Sequence, residues 1–316
     1  MLIGVLFDHF RIDSITIDRL FNGPTLAAPN SIVTPKRSQS AQDGYSLLGH
    51  VIRMSLAQSQ WMCSTLTTLP TAIETGTTGL WYGRFIDLLG THARAKDRQS
   101  LLRMLHDELC YHSVWLQRHG ETPLVLAESS IDVAQEILGV EGLGESGGEV
   151  ALFKYDHRRV TGRMMEDIIR FMGHNRQDLM QLVGDLSPEQ MTLVPEGKMR
   201  DITGILRHVC NAEEFYITRL GHDADSRYER YAGMTEDAVD QLPLFQRLEV
   251  VRRACVATLR ELVPQRGARV FTRKEYTAHP EEKWTTHKVM RRFLEHEREH
   301  IYNIQEYLGL PPRDTG

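Results

Sequence analysis

Phe293-Leu294-Glu295-His296-Glu297-Arg298-Glu299-His300-Ile301 sets two histidines four residues apart in a run with helical spacing. Val289, Phe293, His296, His300 and Ile304 recur at steps of three or four, which places them on one face of a helix. That face is apolar apart from two imidazoles set one turn apart. Leaving a buried imidazole without its hydrogen bond costs roughly 1–3 kcal/mol. The pair must therefore be hydrogen-bonded within a core or bind a cation. A similar stripe runs upstream through Ile205, His208, Ala212 and Phe215, so a third imidazole faces inward from another helix and can meet the pair.

Working outward, the same periodicity predicts helices over Thr161–Leu186, Ile202–Leu220, Leu242–Val263 and Thr285–Leu308. Ser187-Pro188-Glu189-Gln190 reads as an N-cap with proline in the first turn of a short extra helix. Asp223–Asp240 and Arg266–Lys283 read as long polar connections. Four long amphipathic segments imply an all-α four-helix up-down bundle.

Ahead of the bundle the pattern changes. Thr71–Thr75 and Leu80–Asp87 are β-rich runs around the turn Gly76-Thr77-Thr78-Gly79, a predicted hairpin. Its aromatics Trp81, Tyr82 and Phe85 are read as packing the sheet on its helix. Asp97 caps a helix carrying Leu101, Leu102, Leu105 and Leu109 and stopping at His119-Gly120. Leu124-Val125-Leu126 is read as a further strand. Gly139, Gly142, Gly144, Gly147 and Gly148 mark a flexible connection without the Gly-Lys-Ser/Thr of a phosphate loop. The expected layout is α+β and multidomain, with a small α+β domain at 62–138, a glycine-rich linker at 139–152 and the bundle at 153–316. Residues 1–61 are rich in breakers and lack sustained periodicity. They are expected to be disordered or a non-native extension, with the natural start at Met62 or Met54.

Bulk properties exclude several classes. The 316 residues carry a net charge of −5, which gives no basic footprint for nucleic acid. No apolar run reaches the roughly 20 residues a membrane span needs. Met1–Phe7 lacks the charged leader of a signal peptide, and Asp8 ends it early. Cys63, Cys110, Cys210 and Cys255 stand far apart with no Cys-x-x-Cys, which suits isolated thiols in a reducing cytoplasm.

His296-Glu297-Arg298-Glu299-His300 also satisfies His-Glu-x-x-His, the zinc-protease pattern with Glu297 as general base. The metzincin extension would require glycine and histidine where this chain has Asn303 and Glu306, and only sixteen residues follow His300. Glu297 and Glu299 are therefore read as solvent-facing or paired with Arg291, Arg292 or Arg298. Glu213 and Glu214 share no face with His208, so no carboxylate base is assigned. Cys210 and Cys255 are read as buried packing. The remaining histidines are read mostly as surface residues, with His174, His222 and His287 as lesser metal candidates.

These residues carry two family resemblances. Leu206-Arg207-His208-Val209-Cys210-Asn211-Ala212-Glu213, with Trp284-Thr285-Thr286-His287 leading into Arg291–Ile301, resembles the DinB-like superfamily of metal-binding four-helix bundles over roughly 153–310. The resemblance implies a metal triad of His208, His296 and His300. It also implies pairing into a homodimer through helix faces. Leu88-Leu89-Gly90-Thr91-His92-Ala93-Arg94-Ala95, together with the helix ending Trp115–Glu121, resembles a HicB-like antitoxin fold over 69–127. Leu89-Gly90-Thr91 stands where that family has a Pro-Gly-Cys-like turn.

Three neutral imidazoles without a thiolate suit a divalent metal, zinc or nickel foremost and then iron or manganese. Two functions are compatible with these residues. One is a metal-dependent hydrolase or thiol S-transferase acting on a small molecule or thiol cofactor. The alternative is a non-catalytic, metal-stabilised regulatory or antitoxin-like module.

Overall fold

Thr67–Gly76 (β1) and Trp81–Phe85 (β2) pair antiparallel, with Thr71 opposite Phe85 and Glu74 opposite Tyr82. Ala93–Ala95 (β3) adds to the outer side of β2. The structure is a computed structural model and describes residues 67–124, 126 and 129–313. All of these lie in the compact unit Met62–Gly316, so the expectations for residues 1–61 fall outside the described residues.

The predicted strand at Leu124–Leu126 is not where the chain returns to the sheet. Leu124 and Leu126 lie outside any strand. The fourth strand is Ser129–Val140 (β4), parallel to β1 with Leu69 opposite Ile131, giving the order β3-β2-β1-β4. Its signal was the alternation of half-buried Ile131, Val133 and Ile137 with exposed Asp132 and Glu136. Gly139 and Val140, at the head of the glycine-rich stretch, still belong to this strand.

Both faces of the sheet are covered. Arg98–Arg118 (α1) starts where the Asp97 carboxylate accepts from Ser100 N at 2.8 Å. Leu101, Leu105 and Leu109 of this helix pack on Ile73, Phe85 and Ala93. They approach so closely that a Cβ at Gly83 would sit 2.8 Å from Leu105 Cδ1. The opposite face, with Ala72, Tyr82 and Ile86, is covered by Leu143, Ala151, Phe153 and Tyr155.

The bundle consists of Gly162–Val183 (α2), Ile202–Thr218 (α4), Leu244–Arg266 (α7) and Thr286–Tyr307 (α8). Pro188–Thr192 (α3) forms as its Ser187 cap predicts. The connection 223–240 is not irregular: it holds Ala224–Ala232 (α5) and Glu236–Asp240 (α6). Ala224, Tyr228 and Ala232, four apart, are buried in the bundle core, and α5 packs against α7. α2 packs on α8, and α4 packs on both α7 and α8, whereas α2 meets α7 sparsely. A groove of about 1160 Å³ opens along α7, walled by Met180 of α2 and Tyr231 of α5. Among the described residues no helix is long and apolar enough to cross a membrane.

The last helix is buried on almost every side. Its charged face, which solvent would otherwise cover, meets the sheet and α1. Arg84 of β2 lies between Glu74 (2.6 Å) and Glu295 (3.0 Å). Arg291 pairs with Asp156 and donates to the Ala151 carbonyl. Arg298 donates to His112 at 2.9 Å and lies over the Trp115 ring at 4.0 Å. Tyr302 donates to Glu108 at 2.9 Å.

Candidate metal centre

Two caps set the ligand-bearing helices. Asp201 accepts from Gly204 N at 2.6 Å and starts α4, which places His208 in its second turn. Thr285 accepts from Lys288 N at 3.1 Å and is itself anchored on the Asp156 carbonyl, starting α8. His296 and His300 then stack one turn apart on the face turned to α4.

The three side chains converge as the stripes predict. His296 Nε2 lies 3.2 Å from His208 Nε2 and 3.1 Å from His300 Nε2. The rings are steeply inclined to one another, at 62°, 89° and 77°. A cation about 2.1 Å from each nitrogen would see those 3.2 and 3.1 Å separations at roughly 95–100°, between octahedral and tetrahedral values. Hydrogen bonding explains the cluster less well. Nε2 carries either one proton or one lone pair, so it makes a single in-plane hydrogen bond. His296 Nε2 has two close neighbours. A shared cation satisfies all three nitrogens at once.

The protonation state suits ligation. Desolvation, with the charges of His300 and Arg200, holds His208 down at about 3. Desolvation, with Arg94 and Arg200, holds His300 at about 3. Burial likewise pushes His296 well below its ordinary value. All three imidazoles are therefore neutral near pH 7 and offer lone pairs. His296 and His300 are buried, while His208 keeps a partly exposed edge. Among the described residues this is the cluster of histidine, cysteine or acidic side chains that could hold a metal.

The surroundings are cationic and aromatic. Tyr216 presents its ring edge-on to His296 with centroids 5.9 Å apart, and its hydroxyl accepts from Arg292 at 3.3 Å. Arg94 of β3 pairs with Glu299 and donates to Asn303 Oδ1 at 3.0 Å. Asn303 Nδ2 lies 3.4 Å from His300 Nδ1, too long for a strong hydrogen bond.

Glu297 is neither solvent-facing nor paired with Arg291, Arg292 or Arg298. It points into the bundle, where Arg176 Nε (2.7 Å) and Arg252 Nη2 (2.7 Å) bind its two oxygens. The same arginines hold Glu213, Arg176 at 2.8 Å and Arg252 Nε at 3.1 Å. Each bundle helix thus contributes one member of a ring of two buried glutamates and two half-buried arginines, which also line the groove along α7. That ring occupies Glu297 fully and separates it from the histidines, which removes the general base of the zinc-protease pattern. Glu299 takes a partner from the sheet, Arg94.

The other histidines do not join the triad. His92 and His112 are buried rather than on the surface. His287 faces Asp156 at 3.2 Å, His174 lies 3.0 Å from Glu121 and stacks on His119, and His222 is exposed. Cys210 and Cys255 are buried and free, as expected.

This arrangement defines a helical protein with a three-histidine centre at one seam and a small sheet on its last helix. Residues 173–304 match the DinB superfamily, which covers α2 from its middle through most of α8. Among solved structures the chain is similar to YfiT from Bacillus subtilis, described as a probable metal-dependent hydrolase with an unusual four-helix bundle topology. The identity is 17% and the TM-score 0.35, over 52% of this chain and 95% of that one. No curated protein matches the chain.

Proposed function

We propose that His208, His296 and His300 bind one divalent cation, zinc or nickel foremost, and that the centre serves a metal-dependent hydrolase or thiol S-transferase acting on a small molecule. The observation that carries this reading is the approach of three Nε2 atoms, with separations of 3.2 and 3.1 Å about His296. When bound, the cation supplies Lewis acidity and lowers the pKa of a water or thiol at its remaining positions. The chain's own residues do the rest. The caps at Asp201 and Thr285 fix the two helices, and the sheet clamps α8, so the donors are held without reorganisation. Tyr216 and the apolar core exclude water from beneath His296, and the partly exposed edge of His208 leaves the approach for substrate.

The non-catalytic alternative draws on one observation: the groove of about 1160 Å³ lies along α7 and includes none of the three histidines. We also retain the HicB-like reading of the sheet, supported by three antiparallel strands with α1 packed on one face. The free Cys110, Cys210 and Cys255 suit a cytoplasmic protein.

Plasma emission on protein purified without an affinity tag tests the metal. Wild type should carry stoichiometric metal and His300→Ala should carry none; equal content in the two would remove the proposal. Turnover of ester, amide or thiol-transfer substrates by the loaded protein then separates enzyme from module.

A further inference from the structure

α2 and α7 meet sparsely, and the groove of about 1160 Å³ opens along that seam. Its volume lies just beyond the roughly 300–1,000 Å³ of ordinary small-molecule sites. Met180, Leu248 and Val256 give it apolar walls, and Phe245, 45% exposed, lines it too.

Arg176 and Arg252 also line the groove, at 14% and 11% exposure. Every nitrogen of both guanidiniums already donates. Arg176 binds Glu297, Glu213 and the Leu248 carbonyl, the last at 2.6 Å. Arg252 binds Glu213, Glu297 and the Met172 carbonyl, the last again at 2.6 Å. Two guanidiniums are balanced by two carboxylates, so the ring calls for no anion. What it leaves to the groove is the flat face of each guanidinium, and such a face binds the face of an aromatic ring.

Elsewhere the chain fills such faces itself. Arg298 spends its edge on Asn175 and His112 and lies over the Trp115 ring at 4.0 Å. Arg219 donates to Thr218 and to the carbonyls of Arg273 and Glu275, and lies over the Phe215 ring at 4.3 Å. Arg176 and Arg252 have the same spent edges, but among the described residues no ring lies over either. Tyr231, in the groove wall, is already taken by Arg230 at 4.7 Å and by Glu261 at 2.7 Å.

We propose that this groove binds an uncharged, planar aromatic small molecule, stacked on the faces of Arg176 and Arg252 and walled by Met180 and Phe245. The site stands apart from the histidine centre and needs no metal.

Isothermal titration calorimetry on the full chain compares 2-naphthol with its saturated counterpart decahydro-2-naphthol, the more hydrophobic of the two. Wild type should bind 2-naphthol about fivefold or more tightly, because only it offers a π face to the guanidiniums. Val256→Trp should fill the groove and abolish binding. Arg252→Lys keeps a cation beside Glu213 and Glu297 but has no flat face, so it should narrow the preference. Absent binding or equal affinities in wild type, undiminished binding by Val256→Trp, or an unchanged preference in folded Arg252→Lys would each overturn the proposal. Should Arg252→Lys not fold, wild type and Val256→Trp decide it. A wild-type dimer in sedimentation that Val256→Trp dissociates would overturn it too, by giving the groove to a second copy of the chain.

Discussion

Replacing Glu297 by glutamine separates two accounts of the same residue. In the ring of Arg176, Glu213, Arg252 and Glu297, Glu297 supplies one of two carboxylates shared by two guanidiniums, with both contacts at 2.7 Å. Glu297 is 1% exposed, and Arg176 and Arg252 keep only 14% and 11% exposure on the groove, so water offsets only part of the lost charge. Breaking a buried pair by removing one partner costs about 3–5 kcal/mol, because an uncompensated charge remains inside. For a unit of this size each kcal/mol lowers Tm by about 2–4 °C, so the expected fall is roughly 6–20 °C. The assay is thermal and urea unfolding of metal-loaded protein, followed by circular dichroism, with metal content measured in parallel. Glu297→Gln should unfold earlier yet keep its metal. A fall of less than about 2 °C would refute the ring as a structural element. Wild-type stability with abolished turnover would restore Glu297 as a general base. Replacing all four members by apolar residues of similar volume should cost far less than the single change, since desolvation offsets most of the attraction in such networks.

Three further outcomes follow from the geometry. Gly83→Val should destabilise by about 1–3 kcal/mol in urea unfolding, because β2 and α1 leave no room for a side chain; wild-type stability would contradict the packing at Leu105. Burial by itself would raise the Asp156 carboxyl, but Arg291 and His287 outweigh it and hold its pKa well below the ordinary value. A depressed carboxyl stabilises the fold above its unfolded pKa of about 3.9 and loses that contribution as pH falls further, so wild type should lose more stability than Asp156→Asn between pH 5 and pH 3; parallel curves would exclude this contribution. Asp201→Ala should cost about 1 kcal/mol through loss of the α4 cap and weaken metal affinity by shifting His208, read by unfolding and competitive chelation; unchanged values in both would show that the cap is idle.

Much of the helical part was legible because its signals are local. The stripes through His208 and His296 and the capping residues Asp97 and Ser187 set boundaries within a few residues of those observed, whereas the caps at Asp201 and Thr285 emerged only from the structure. Helical spacing also sufficed to put His296 and His300 on one face, and the convergence on His208 followed from two inward stripes. The strand at Ser129–Val140 was missed because its alternation is half-exposed, and the short run Leu124–Leu126 competed for the same role. α5 was missed because charged residues surround its buried Ala224, Tyr228 and Ala232.

The local sequence pattern was enough to give the four long helices, the inward apolar stripes of α4 and α8, and the three imidazoles on those stripes. Where the charged residues of α8 go depends on long-range packing. Arg291, Glu295, Arg298 and Tyr302 form a pattern that solvent would suit equally well. Their partners Arg84, Glu108, His112 and Asp156 lie more than a hundred residues away in the chain. A charged face on a helix looks the same in sequence whether water or a distant opposite charge neutralises it, because periodicity reports the turn of the helix and not what stands across from it.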